Sequence, residues 1–168
     1  MRNRFLTLGL IAMSVLCSCS KNEVRDTSCG LNNTIWVPVW AKGEIAASGY
    51  TISWDGELDA EGGLTSTYVK NGETVEFTVS FRGYRFYRDG GTDRYVTFYP
   101  GRNYESSVSG LYYVEEGKLY IERISGGYSY GFSTPPELEP TGIYDPYVLD
   151  ELSHDRLSFG GVTYRRVQ

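Results

Sequence analysis

The chain has 168 residues, with 21 Asp and Glu against 16 Lys and Arg, a net charge of −5 near neutral pH. A chain of this length holds one domain's worth of core, and its acidic balance lacks the basic excess that nucleic acid rewards, which excludes nucleic acid as a partner. Fifteen Tyr and 20 Gly beside a single His and two Met favour strands and turns over helices.

Met1-Arg2-Asn3-Arg4 is a short basic segment, and residues 5–16 are uncharged and mostly apolar. A basic head, a short apolar run and small residues after it are the parts of a secretory signal peptide. A membrane-spanning helix needs roughly 20 apolar residues, so this run is too short to be a permanent span, and no other stretch is apolar enough. The Ala-x-Ala pattern of an ordinary cleavage site is missing. Instead, Leu16-Cys17-Ser18-Cys19 resembles a bacterial lipobox, with an aliphatic residue three before the cysteine and a small one just before it. The resemblance implies cleavage before Cys19, with lipid on its thiol and on the new amino terminus. Cys17 fits less well, because bulky Leu16 would precede the cut. The alternative is a soluble secreted protein with two incidental cysteines.

Residues 20–28 are polar, charged and aperiodic, the composition of a flexible tether. They loosely resemble the short acidic signal that follows the lipidated cysteine in surface-exposed lipoproteins of the Bacteroidetes, although Asn22 and Glu23 stand where two acids would be ideal. That resemblance implies an outer-membrane location with display at the cell surface. The expected division is therefore a signal peptide over 1–18, a lipidated tether over 19–30 and one folded domain over 31–168. Removing 1–18 takes away Arg2 and Arg4 and leaves 14 basic against 21 acidic residues, a net charge of −7. Cys29 is then a lone cysteine, read as a sheltered thiol at the base of the tether.

The rest of the chain reads as strands. Residues 34–40 alternate aromatic and aliphatic side chains around Pro38, which cannot donate to a ladder, so this is an edge or bulged strand. Residues 50–54 put Tyr50, Ile52 and Trp54 on one face, with Asp55-Gly56 as a turn and 59–63 as a loop. Residues 64–69 and 73–81 flank Lys70-Asn71-Gly72, and Asn-Gly suits a type I′ hairpin. The second of these has Val75, Phe77, Val79 and Phe81 inward and Thr74, Glu76, Thr78 and Ser80 outward. It is expected at the centre of the core, where Phe77 would be fully buried. Strands over 84–88 and 95–99 flank a turn at 89–91, and 100–103 turns again. Residues 107–115 and 118–124 pair about Glu116-Gly117. A strand over 128–132 precedes a proline-rich crossing at 133–147. Strands over 147–152, 156–159 and 162–167, separated by 153–155 and Gly160-Gly161, finish the chain. Some nine or ten short strands with regular turns and no helix predict an all-β, antiparallel up-and-down barrel of about 8–10 strands.

Four stretches carry a further resemblance. Asn33-Thr34-Ile35-Trp36, the segment Glu116 to Ile121, and the closing segments 147–159 and 161–167, with their leucine, polar turn, leucine and aromatic order, resemble the lipocalin-like lipoprotein domain of the Bacteroidetes. The likeness covers about half of the chain, and the 128–147 insertion departs from it. It implies a small barrel and brings no catalytic residues with it.

Chemistry is sparsely signalled. His154 lies in a Ser-His-Asp string on a predicted turn, but a triad is defined in space and adjacent turn residues point apart. Asp55, Glu57, Asp59 and Glu61 alternate without the spacing of a calcium loop, and a charged hairpin tip explains them. A glycosidase would need two carboxylates across a cleft; Glu76, Glu105 and Glu122 lie on predicted strands, but any sheet has such residues on its wet face. One histidine and one spare cysteine make no zinc set. No catalytic residue, metal site or cofactor is expected, and the chain reads as a non-enzyme. The expected function is a lipid-anchored binding module for a small ligand, a glycan or an envelope protein. A structural component of an outer-membrane complex is the alternative, and an envelope hydrolase is disfavoured. The expected contact surface is a stripe of Arg85, Tyr87, Tyr95, Thr97 and Tyr99, with Tyr84, Phe86, Val96 and Phe98 facing the core. Cross-strand tyrosine packing is the plainer alternative.

Overall fold

A computed structural model of the chain describes residues 30–101, 109–122 and 141–168. Cys17, Cys19, Cys29, Glu105, the expected strand at 128–132 and most of the proline-rich crossing lie outside the described residues. Eleven strands are described: β1 (Thr34–Ala47), β2 (Tyr50–Glu57), β3 (Gly63–Lys70), β4 (Glu73–Ser80), β5 (Gly83–Asp89), β6 (Thr92–Phe98), β7 (Ser109–Glu115), β8 (Lys118–Glu122), β9 (Tyr144–Leu152), β10 (Arg156–Phe159) and β11 (Val162–Arg166).

Four hairpins turn on two residues that both take positive φ. They are Asn71-Gly72 (54° and 82°), Gly90-Gly91 (56° and 85°), Glu116-Gly117 (50° and 75°) and Gly160-Gly161 (58° and 75°). This is type I′ geometry, whose twist matches that of the paired strands. β5 to β11 lie side by side in chain order, and β1 pairs with both β5 and β11. The chain therefore closes into an eight-stranded antiparallel barrel in up-and-down order, consistent with a lipocalin-like barrel, and closure removes the sheet's edges.

β1 is long enough to belong to two structures. Its first residues pair with β5, Trp36 to Ala41 pair with β11, and Trp40 to Ala47 pair with β2. Because β11 holds one edge at both Trp36 and Trp40, β5 and β2 share the other. The register with β11 shifts between Pro38 and Trp40, a β-bulge. Beyond the barrel, β1 and β2 form a projecting ribbon. The β3–β4 hairpin is a separate two-stranded sheet that packs on this ribbon through side chains. Tyr50 stacks on Tyr68 with ring centres 5.0 Å apart, and Tyr68 meets the edge of Phe77 at 5.8 Å.

Several sequence expectations change here. Asp55 and Gly56 are not a turn; β2 continues through them, opposite Lys42 and Ala41. A Cβ at position 56 would lie 3.3 Å from Leu64 Cδ1, a tight contact with the neighbouring hairpin. β4 keeps its alternation, but Val75, Phe77 and Val79 are only half-buried, since they face the ribbon and not the barrel lumen. β9 starts at Tyr144 and includes Pro146. Leu149 N–H donates to Gly117 O on the β8 side, so by alternation the nitrogen of Pro146 faces the other edge, where β10 pairs no further than Leu149.

The core is the lumen. Leu31, Trp36, Phe86, Leu119 and Leu157 have no exposed surface, and Tyr95, Tyr112, Phe159 and Tyr164 are nearly as buried. Desolvation pushes the Tyr84 phenol up from 10.0 to about 12, and it raises the phenols of Tyr95, Tyr112 and Tyr164 as well. A phenol whose folded pKa exceeds its unfolded value holds its proton more tightly in the fold. The stability this adds is intact below about pH 10 and is lost as pH rises past it and through the folded value. In a tyrosinate absorbance titration, Tyr84, Tyr95, Tyr112 and Tyr164 should ionise only together with loss of the near-UV circular dichroism. Ionisation of all 15 tyrosines near pH 10 with that signal intact would contradict this packing.

Candidate functional site

Among the described residues, aromatic rings meet across the lumen. Tyr84 of β5 stacks on Phe86 at 5.6 Å and meets Phe159 of β10 and Tyr164 of β11 edge-on at 5.5 and 5.6 Å. Phe86 meets the edge of Tyr112 on β7 at 4.7 Å, and Phe159 stacks on Tyr164 at 5.1 Å. Trp54, Leu58 and Phe81 pack against this cluster from the end where the ribbon leaves the barrel.

Several buried polar groups are matched within the fold, whereas Trp54 Nε1 and Arg94 Nε find no hydrogen-bond partner among the described residues. Trp36 Nε1 donates to Thr34 Oγ1 at 2.6 Å, and the Thr34 hydroxyl donates to Leu31 O. Asp93 takes both oxygens to Arg88, at 2.8 Å from Nε and 3.2 Å from Nη2, so Arg88 covers the buried carboxylate. Tyr112 OH donates to Asn32 Oδ1 at 3.0 Å, and Tyr95 OH to Glu122 O at 2.9 Å. Glu122 was read as a wet-face residue but is buried. Its carboxylate accepts the N–H groups of Leu111 (3.0 Å) and Gly142 (3.1 Å) and the hydroxyl of Thr141 (3.4 Å). A strand-terminal glutamate gives no signal of this in sequence, because its partners come from segments 11 and 20 residues away.

His154 is exposed on the turn between β9 and β10. The Ser153 hydroxyl donates to Asp155 Oδ1 at 3.2 Å and accepts the Arg156 N–H, so the Ser-His-Asp string is a turn motif. The acidic run is also spread out. Asp55 pairs with Lys42 at 2.9 Å, and Asp59 Oδ1 accepts the N–H groups of Glu61 and Gly63, both at 2.8 Å, which shapes the loop into β3. Among the described residues no three His, Cys, Asp or Glu converge as a metal set.

The expected contact stripe is not one surface. Sequence alternation assumed a three-residue turn at 89–91, whereas Asp89 pairs with Thr92 across a two-residue turn. One residue of register turns every side chain of a strand over. Phe86 therefore faces Tyr95 and Tyr84 faces Thr97, so Tyr95 and Thr97 are buried in the barrel. Arg85 stays outward, with its guanidinium 5.6 Å from the half-buried Tyr87 ring. Tyr99 lies past the end of β6, against the Arg82 guanidinium, which sits 4.9 Å from its ring and donates to its hydroxyl at 3.2 Å. Phe98 remains buried, but against Gly83, where a Cβ would lie 2.4 Å from its ring, and on the outer side of the wall.

What the outer wall does offer is a cleft of about 540 Å³ beside the bulge of β1. Val37, Val39, Leu58 and Phe98 give it apolar walls, and Asp59, Tyr99 and Arg165 give it polar ones. The loop 58–62 is held against Pro100 and Gly101: a Cβ on Gly62 would lie 3.2 Å from the Pro100 ring and 2.5 Å from Phe81 O. The sequence hinted at this place only through Pro38, whose bulge presents this part of β1 to the cleft. Scans of the chain against family models, curated proteins and solved structures return no match.

Proposed function

We propose that this chain is a lipid-anchored, non-enzymatic binding module of the outer membrane that holds its partner on the outer wall of the barrel. The observation that carries this reading is the pairing of a lumen filled by aromatic side chains with an outward cleft at the bulge of β1. Barrels of eight strands either fill their interior or hold one small ligand, and a filled interior leaves recognition to the wall. An envelope glycan or protein fits such a surface better than an enclosed small molecule does. The projecting ribbon and hairpin favour the second reading, a component of an envelope complex, because half-buried apolar strands outside the barrel suit packing against another chain.

The anchor rests on Cys19. Growth with a fatty-acid analogue should label the wild type and Cys17→Ser and leave Cys19→Ser unlabelled; label kept by Cys19→Ser and lost by Cys17→Ser would move the anchor to Cys17. The wall is tested in growing cells with a benzophenone side chain at Val37 in the cleft and at Glu116 on a distant turn. Adducts at Val37 alone support the reading, and equal adducts at both positions contradict it.

A further inference from the structure

Of the three tryptophans, Trp36 is fully buried, Trp54 is half-buried and Trp40 is 42% exposed. Trp40 is not a loose surface ring. Its indole N–H donates to Asp55 Oδ1 at 3.1 Å, and the other oxygen of Asp55 holds Lys42 Nζ at 2.9 Å. The register pairs Trp40 with Glu57 and Lys42 with Asp55, so all four side chains share the outer face of the ribbon. The ring is pinned by its edge and is partly open to solvent, with carboxylates and an ammonium on the same face of the ribbon. Val39, the neighbour of Trp40 on β1, lines the outer cleft.

We propose that Trp40, flanked by Asp55, Lys42 and Glu57, is a stacking platform for a neutral hexose unit of a glycan, continuous with the cleft. This rests on the binding-module reading above and names its ligand class. A pyranose has one face of C–H bonds and a rim of hydroxyls. The C–H face covers the indole, and the rim meets both acceptors (Asp55, Glu57) and a donor (Lys42), as a mostly apolar site with a few placed polar groups does. A purely apolar partner would leave these charges unmatched. A cation would compete with Lys42, which already occupies the Asp55 carboxylate. An anionic sugar would meet two carboxylates on a domain with a strong acidic balance.

The test uses the full-length protein in detergent micelles and immobilised gluco-, manno- and galacto-hexaoses. The wild type should be retained by at least one. Trp40→Ala should weaken that retention by about ten-fold or more, and Trp40→Phe, which keeps a flat ring, should recover part of it. The melting temperature should stay within a few degrees, because the ring is on the surface. Bound hexaose should also shield tryptophan emission from acrylamide in the wild type but not in Trp40→Ala. No retention of any hexaose by the wild type, or equal retention by Trp40→Ala, overturns the proposal. So does Trp40-dependent retention on immobilised hexalysine in place of sugars, which would assign the platform to a cation. Adducts at Val37 are independent of all of these, so the platform can fail while the wall reading stands.

Discussion

Phe86→Ala is expected to lower the stability of the domain by roughly 3–5 kcal/mol, the range for deleting a fully buried aromatic ring. Phe86 has no exposed surface, stacks on Tyr84 and takes the edge of Tyr112. Its neighbours come from different strands of a closed barrel, so the space it leaves cannot collapse easily. Phe77→Ala should cost only about 1 kcal/mol, the ordinary size of a substitution that leaves no large cavity. Phe77 is half-buried on a hairpin outside the barrel. Urea unfolding of the two variants makes the comparison, and an equal loss would mean that the β3–β4 hairpin belongs to the core after all.

Glu122→Ala is the second large effect, at roughly 3 kcal/mol. The carboxylate accepts two backbone N–H groups, one from Leu111 on β7 and one from Gly142 just before β9. Leaving a buried donor without its acceptor costs about 1–3 kcal/mol, and here two part-buried donors lose theirs at once, which puts the total near the top of that range. Glu122 also ends β8, and its carbonyl receives the Tyr95 hydroxyl, so three neighbouring segments meet at one residue. Glu122→Gln keeps an acceptor oxygen in the same place and should lose about half as much. Two variants as stable as the wild type would show that water replaces the carboxylate without penalty.

Much of the fold was legible because β-structure writes itself locally. Asn71-Gly72, Glu116-Gly117 and Gly160-Gly161 mark two-residue turns, and the runs between them alternate. Pro38 marked the bulge in β1. What alternation does not say is which apolar surface a strand's inner face meets. β4 has the cleanest pattern in the chain, yet its Val75, Phe77 and Val79 face a neighbouring ribbon and stay half-buried. Nor does alternation settle register. The Asp-Gly-Gly sequence at 89–91 permits a loop of two or three residues, and only the pairing of Asp89 with Thr92 sends Tyr95 inward. That single residue dissolved the expected tyrosine stripe. Asp55-Gly56 looked like a turn, but its glycine makes room for Leu64. The cleft and the Trp40 platform depend on residues such as Val37 and Phe98, or Trp40 and Asp55, that are far apart in sequence. Their meeting is a product of closure and pairing, which no local pattern carries.

Recognition on this reading belongs to the wall of the barrel and not to its lumen. Soaking crystals of the protein with a library of small apolar and monosaccharide fragments tests it most directly. Fragments are expected in the outer cleft, against Val37, Leu58 and Phe98, with Tyr84, Phe86 and Tyr112 unmoved. A fragment seated inside the barrel, with those three rings displaced around it, would contradict the claim.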